Sequence, residues 1–205
     1  MPTINKCILL ILILFVCSLF SGCGGLIGLF EKCNTPLQTY EITGSASKIK
    51  IDVPCELKDE PLNNVNSFLD MIKGYKNKVG VSDALAVKVF CCSADTEKVE
   101  EMTGEPYRFD LEGAVEGAVM DIKALPGSKN VKKESSEKIK INKINAMKVK
   151  ISYTTNNKNK NTDIVADYII FSKEEDSWII CTHYRKDDFV ASSISEKIFK
   201  SIVIR

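Results

Sequence analysis

Histidine is almost absent from this sequence, since His183 is the only one among 205 residues. Histidine is the side chain that ordinarily moves protons near neutral pH, so chemistry that needs several histidines is excluded. The eight cysteines do not replace it, because they include no Cys-x-x-Cys redox motif and no zinc-finger spacing. The sequence therefore predicts neither a metal site nor a bound cofactor.

An excess of charge of one sign is also absent. The chain has 28 basic and 27 acidic side chains, a formal net charge of +1 at pH 7. Proteins that bind nucleic acid usually have a strong basic excess. No nucleic-acid partner is therefore predicted.

The apolar run near the N-terminus is too short to cross a membrane. It extends from Cys7 to Phe20, which is 14 residues, whereas a spanning helix needs about 20. The run follows a short polar segment whose one cation is Lys6. This arrangement is typical of a secretory signal peptide, which we predict over residues 1–22.

Ser21, Gly22 and Cys23 follow the apolar run. Small residues before a cysteine at this place resemble the lipobox of bacterial lipoproteins. The resemblance covers residues 1–23 and implies cleavage between Gly22 and Cys23, with diacylglycerol attached to the Cys23 thiol. Phe20 departs from the leucine that is usual three residues before the cysteine.

The alternative is an uncleaved anchor that continues through the sequence GLIGLF to Phe30. Glycines at positions 22, 24, 25 and 28 would interrupt such a helix, so cleavage is favoured. Residues 23–37 are then a lipidated cysteine and a flexible tether, and residues 38–205 a single globular domain. We expect the protein on the extracytoplasmic face of the cell membrane, attached by lipid.

Hydrophobic patterning predicts the elements of the domain. Alternation up to Val53 predicts a hairpin with a turn at 44–47. Residues 64–76 fit both helix and strand, with helix favoured. Ala84–Cys92 is apolar on both faces, which predicts a strand covered on both sides. Asp110 is predicted to cap a helix that stops before Pro126.

The remainder predicts two hairpins, a helix and a short closing strand. The first hairpin joins Lys138–Asn142 to Ala146–Tyr153 through a turn at 143–145, and the second joins Asp163–Ser172 to Ser177–Arg185. Asp187 is predicted to cap the last helix. The residues predicted to face inward from that helix are Phe189, Ile194, Ile198 and Phe199. Because central strands that are apolar on both faces need two covering layers, we predict an α+β fold, a three-layer α/β/α sandwich around an antiparallel sheet.

This order of elements resembles the PsbP-like fold. The resemblance is carried by the hairpin that ends in IDVP, the helix after DLEGA, the two late hairpins and the closing sequence from SWIICTHYRKDDF to KSIVI. It covers about residues 38–205 and is topological. The superfamily includes an extrinsic photosystem II subunit and a Ran-binding import factor, and its members are mostly non-enzymatic docking or assembly proteins. It transfers no functional residue to this chain.

Cys181 and His183 are the one pair that could form a nucleophile and base, because residues two apart on a strand share a face. The alternative is that both are core residues beneath a helix, and this is favoured. Cys91 and Cys92 point to opposite faces and are predicted to be small core residues. Cys33 and Cys55 are predicted to be the more exposed cysteines, and a disulfide between them is an open alternative.

Charge is segregated along the chain, with eleven lysines against three acids between Asp121 and Lys160. The sequence predicts a basic surface on the solvent face of one hairpin, formed by Lys138, Lys140, Lys148 and Lys150. Such a surface could bind anionic lipid or another polyanion. The alternative, which is favoured, is an edge hairpin whose lysines prevent edge-to-edge pairing.

Three functions are compatible with these features. A non-catalytic docking or assembly module at the cell envelope, with a protein partner, is favoured. A small-ligand or lipid-binding protein outside the cytoplasm is the alternative. An enzyme that uses Cys181 and His183 is the third, and a buried Cys181 would remove it.

Overall fold

An antiparallel sheet of seven strands forms the centre of the domain. The computed structural model describes residues 36–61, 71–157 and 160–205. The strands are β1 (Gln38–Thr43), β2 (Lys48–Val53), β3 (Lys58–Asp59), β4 (Ile72–Val81), β5 (Ala86–Ala94), β6 (Ser128–Ile141), β7 (Ile144–Asn157), β8 (Lys160–Lys173), β9 (Asp176–Arg185) and β10 (Val203–Ile204). The helices are α1 (Thr96–Thr103), α2 (Leu111–Ala124) and α3 (Phe189–Lys200).

The large sheet has the strand order β3-β4-β5-β9-β8-β7-β6, and a small sheet has the order β1-β2-β10. Every pairing between these strands is antiparallel. The late hairpins, β6–β7 and β8–β9, follow the chain order, while β5 pairs with β9 across the middle of the sheet. The short closing strand predicted from the sequence is β10, which pairs with β2.

Each face of the large sheet has its own apolar core. Trp178 and Ile180 lie on the face covered by α3 and the small sheet. Ile179 and Cys181 lie on the opposite face, part of which α2 covers. Both sets are buried, so β9 is covered on both sides. The predicted α+β class and the layers around an antiparallel sheet are confirmed, with the small sheet sharing one outer layer with α3.

The helix caps follow from short acidic side chains. The Asp110 carboxylate accepts a hydrogen bond from the Gly113 N–H at 3.0 Å, as predicted. In α3 the cap is Asp188, which accepts from the Ala191 N–H at 2.8 Å. The prediction of Asp187 is wrong by one residue, because the Asp187 carboxylate instead binds the Arg185 guanidinium. The shift also leaves Phe189 85% exposed, so its predicted inward position is wrong.

Two further predictions are wrong. The favoured helix is wrong for residues 72–76, where the open alternative, a strand, is confirmed: they lie in β4 and pair with β5, with a register irregularity between Ile72 and Gly74. Residues 64–70 of that prediction lie outside the described residues. The turn of the β6–β7 hairpin comprises Asn142 and Lys143, both with positive φ, and not residues 143–145. Two positive φ values in succession are the geometry of a type I′ turn.

Helix α1 was not predicted, because it has no apolar stripe. None of its residues is buried. Asp95 caps its start and Gly104, at φ 71°, ends it. In the described ranges, no helix is long and apolar enough to cross a membrane.

Candidate functional site

The residues of the predicted lipid anchor, Gly22 and Cys23, lie outside the described residues, as does Cys33. The predicted signal peptide, the tether and a disulfide between Cys33 and Cys55 therefore stay predictions. Cys55 was also predicted to be exposed, and this is wrong, because only 6% of its surface is exposed.

The four lysines of the predicted basic surface do not share a face. In an antiparallel pair, residues directly opposite each other point to the same side of the sheet. Lys138 lies opposite the buried Met147, whereas Lys148 lies opposite Glu137. Lys138 and Lys140 therefore lie on the α2 side of the sheet.

Lys148 and Lys150 lie on the opposite side, towards α3. The predicted common face is wrong because alternation fixes which residues of one strand share a side, but pairing register decides how two strands combine. From Ser135 to Ile141 the register places even-numbered residues of β6 beside odd-numbered residues of β7.

The ion pairs of these lysines confirm that they lie on opposite sides of the sheet. Lys138 Nζ lies 3.1 Å from a carboxylate oxygen of Glu112 on α2, and Lys148 Nζ lies 2.7 Å from one of Glu196 on α3. Lys150 Nζ lies 3.7 Å from the buried Asp167. Strand β6 is the edge of the large sheet, as the alternative interpretation of the lysines requires.

Cys181 and His183 are brought together but are closed off from solvent. Cys181 Sγ lies 3.7 Å from His183 Nε2, and His183 Nδ1 lies 3.1 Å from the Tyr153 hydroxyl. Cys181 is 2% exposed and His183 is 8% exposed. Burial, and to a lesser extent the positive charge of Lys88, lowers the pKa of His183 to about 4. The pair is part of the core, and a thiol at this depth is not available to a substrate.

Cys91 and Cys92 do point to opposite faces of β5. Cys91 is buried in the core beneath α3, and Cys92 packs against the core on the other face. Burial raises the pKa of both thiols, that of Cys92 to about 12, with the negative charge of Asp176 adding to the effect. Both are therefore thiols rather than reactive thiolates at neutral pH.

The sequence analysis missed a buried carboxylate that fastens the small sheet to the large one. Asp176 is fully buried and accepts backbone hydrogen bonds from Ser45, Ala46 and Ser47 in the β1–β2 turn, at 3.1, 3.0 and 2.6 Å. The hydroxyls of Ser47 and Ser93 donate to it at 2.7 and 2.5 Å. Burial raises the pKa of Asp176, but these hydrogen bonds outweigh burial and hold it below the usual value.

Two neighbours are fitted to this carboxylate. The Trp178 indole N–H donates to the Ser47 hydroxyl at 2.9 Å, which extends the network into the core. A Cβ at Gly44 would clash with the Asp176 carboxylate, which its hydrogen bonds hold in place, so a larger residue there would displace that carboxylate. We call Asp176 with the 44–47 turn the Asp176 clamp.

A second missed group lies between β8, β9 and α3. Asp167 is 1% exposed and accepts hydrogen bonds from the Tyr184 hydroxyl at 2.7 Å and the Ser195 hydroxyl at 3.2 Å. The Ser195 and Thr182 hydroxyls lie 2.7 Å apart. An acid within the apolar sequence IVADYIIF was the available signal, since a buried carboxylate requires partners.

Asp167 and Asp176 thus hold layers of the fold together. Within the part of the chain that the structure describes, no three histidine, cysteine, aspartate or glutamate side chains are grouped so as to hold a metal ion. The polar side chains available to a partner lie on the surface, and the longest open stretch of backbone within the described sheet is the β6 edge.

The chain resembles the solution structure of cyanobacterial PsbP (CyanoP) from Synechocystis sp. PCC 6803, with a TM-score of 0.50 and 11% sequence identity over 89% of this chain and 97% of that one. The fold is PsbP-like. At this identity the similarity concerns the fold alone.

Two other solved structures cover most of the PsbP-like domain with lower scores. LpqN, involved in cell envelope biogenesis of Mycobacterium tuberculosis, has a TM-score of 0.45 at 10% identity over 82% of this chain and 91% of its own. The Saccharomyces cerevisiae Ran-binding protein Mog1p has a TM-score of 0.46 at 11% identity over 82% and 95%. Scores this low have no bearing on function. No protein-family model matches the sequence, and no curated protein matches it significantly.

Proposed function

We propose that this protein is a lipid-anchored, non-catalytic docking or assembly module on the extracytoplasmic face of the cell membrane. The observation that carries the proposal is the N-terminal sequence, in which Ser21, Gly22 and Cys23 follow a 14-residue apolar run. Acyl chains on Cys23 would attach the protein stably, because each buried CH₂ contributes about 0.8 kcal/mol. Residues 24–37 would link that anchor to the PsbP-like domain.

The interior of the domain supports a role in docking. Its one histidine is buried beside Cys181, so the pair most suited to nucleophilic catalysis is committed to the core. Asp167 and Asp176 are likewise used to join layers of the fold. Among the described residues, the groups open to another molecule include surface side chains and the edge of the sheet, which suit recognition of a partner.

Metabolic labelling with radioactive palmitate tests the anchor. We expect label on the wild-type protein and none on Cys23→Ala, which should also leave the membrane fraction or accumulate as an uncleaved precursor. Cys33→Ala is the matched control, because it removes the next cysteine and should keep the label. An unlabelled wild type, or a Cys23→Ala variant that is still labelled, would refute the anchor.

Cross-linking on intact cells tests docking. We expect the wild-type protein to form a discrete cross-linked species with one protein partner, and the species to weaken when Cys23→Ala removes the protein from the membrane. Recovery of only random neighbours in proportion to their abundance would contradict a docking role.

A further inference from the structure

We propose that the outer edge of β6, over Ser136–Ile141, binds an extended acidic segment of a protein partner as an additional strand of the sheet. The inference deepens the docking function proposed above and rests on it for the expectation of a protein partner. Strand addition to an open edge is a common mode of peptide recognition, in which backbone hydrogen bonds supply affinity and side chains supply specificity.

The turn geometry shows which backbone groups of β6 face outward. Asn142 and Lys143 form a two-residue turn, so Ile141 and Ile144 are a hydrogen-bonded pair. Hydrogen-bonded pairs alternate along an antiparallel ladder, which leaves the N–H and C=O groups of Ser136, Lys138 and Lys140 pointing away from β7. Within the described residues, these groups form no backbone hydrogen bond with another element.

Register irregularities define the length of the usable edge. They lie between Lys129 and Lys132 and between Lys133 and Ser135, and Asn130 has a positive φ of 54°. Bulges of this kind twist an edge away from pairing. From Ser135 to Ile141 the pairing with β7 is unbroken. A partner strand of about six residues is therefore the length that this edge can accept.

The side chains on the two faces of this segment specify different neighbours. Lys138 and Lys140 lie on the α2 side, with the Lys138 side chain 80% exposed. Lys138 has one exposed carboxylate neighbour, Glu112, and Lys140 forms no ion pair with another described residue. Ile139 and Ile141 lie on the other side, half-buried against the core beneath α3.

A matching strand has carboxylates opposite the lysines and apolar side chains opposite the isoleucines. Such cross-strand pairs of opposite charge and of apolar side chains stabilise an antiparallel pairing. An alternating acidic and β-branched sequence has this pattern. A second copy of β6 does not, because in an antiparallel match of KIKI with KIKI the lysines of one chain lie opposite those of the other. The same residues that oppose self-pairing therefore select an acidic partner.

The probe is a fluorescein-labelled, end-blocked peptide of sequence Ser-Glu-Val-Glu-Val-Ser, titrated with the full chain in non-ionic detergent micelles. Fluorescence anisotropy should show saturable binding that weakens as salt is raised, because the charge pairs are exposed. The double variant Lys138→Glu/Lys140→Glu should bind at least about tenfold more weakly, since two attractive cross-strand pairs become repulsive. It should in turn bind the Ser-Lys-Val-Lys-Val-Ser peptide, which the wild type rejects.

Two further variants separate the edge from general electrostatics. Lys200→Glu makes the same type of charge change at an exposed position on α3 and should leave binding within about twofold of wild type. Ser136→Pro removes one outward N–H without changing any charge or breaking the β7 ladder, and it should reduce binding at least about fivefold. Circular dichroism melts establish that each variant is folded.

The proposal is overturned if the wild type does not bind the acidic peptide at millimolar concentration. Equal weakening by Lys200→Glu and by the double charge reversal would also overturn it. If either result is obtained while palmitate labelling and cellular cross-linking give the expected outcomes, peptide binding at the β6 edge is refuted and the docking function is retained. Peptide binding by a protein that takes up no palmitate would support the β6 edge and refute the lipid anchor.

Discussion

The two late hairpins have the same connectivity and opposite surroundings. Strand β9 is buried along nearly its whole length, and its Asp176 is fully enclosed. Strand β6 has no fully buried residue, and its Lys138 side chain is 80% exposed. A charged group in the interior must be paired, whereas one at the surface is hydrated by water.

The comparison shows that position in the sheet decides what a charged residue does. In the central hairpin, Asp167 and Asp176 fix the helix and the small sheet in place through several hydrogen bonds each. In the edge hairpin, the exposed Lys138 side chain pairs only with the exposed Glu112 carboxylate among the described residues. Substitutions in the central hairpin should therefore affect stability, and those at the edge should affect binding.

The largest effect is expected for Asp176→Ala. It removes the acceptor for three backbone N–H groups and two hydroxyls, and the donors on Ser47 and Ser93 are in the buried interior. We expect the free energy of unfolding to fall by about 3–5 kcal/mol, measured by urea denaturation. Asp163→Ala, at an exposed position of β8, is the control and should cost about 0.5 kcal/mol or less. Equal losses in the two variants would show that the Asp176 clamp does not stabilise the protein.

The next effect concerns pH and His183. Its pKa is lowered to about 4 from an ordinary value of 6.5, so between these pH values the unfolded chain binds more protons than the folded one. Stability should therefore be complete above pH 6.5 and fall by about 3 kcal/mol as pH decreases to 4.

His183→Gln should flatten this part of the stability profile, measured by urea denaturation at a series of pH values. The pKa of Asp176 lies below the usual 3.8, so the loss of stability from its protonation begins as pH falls towards 3.8 and continues below it, and it overlaps only the acid end of this window. An unchanged slope in His183→Gln would show that the histidine is not the titrating group.

A smaller loss is expected for Tyr184→Phe. The change removes one hydrogen bond to the buried Asp167 carboxylate and leaves the Ser195 hydroxyl as a donor. We expect the free energy of unfolding, measured by thermal or urea denaturation, to fall by about 2 kcal/mol. Tyr75→Phe on β4, where the tyrosine is 36% exposed, serves as the control and should be near neutral. A neutral Tyr184→Phe would mean that Ser195 alone satisfies the carboxylate.

The smallest effect is expected at the edge. Lys138→Ala breaks an exposed ion pair with Glu112 and should change stability by at most about 0.5 kcal/mol. A double-mutant cycle with Glu112→Ala measures the coupling between the two. A coupling free energy as large as the stability lost in Tyr184→Phe would contradict the view that charged residues of the edge hairpin contribute little to stability.

Much of the fold could be predicted because local patterns agree with it. The residues of Ala84–Cys92 and Ser177–Arg185 are apolar on both faces, and the strands there are buried on both faces. Asp110 caps α2 as its position before an apolar stripe indicates. Helix was favoured over strand for residues 72–76 because their apolar residues fit both the helical and the strand period, and pairing with β5 makes them a strand.

The candidate site was less predictable, because it depends on relations between distant residues. Asp176 and the turn at 44–47 are about 130 positions apart, and no local pattern indicates that one carboxylate accepts from that turn. Phe189 was expected inside because it precedes an apolar stripe, but the cap at Asp188 places it on the outside of the first turn.

The sequence by itself determined the alternation along each strand, the doubly apolar centre of the sheet, the helix cap at Asp110 and the resemblance of residues 1–23 to a lipoprotein signal. Only the tertiary structure decided which alternating residues combine into one surface, and it separated Lys138 and Lys140 from Lys148 and Lys150. The physical reason is that side-chain direction repeats within a strand, whereas the register between strands is set by the turn and by packing of both faces at once.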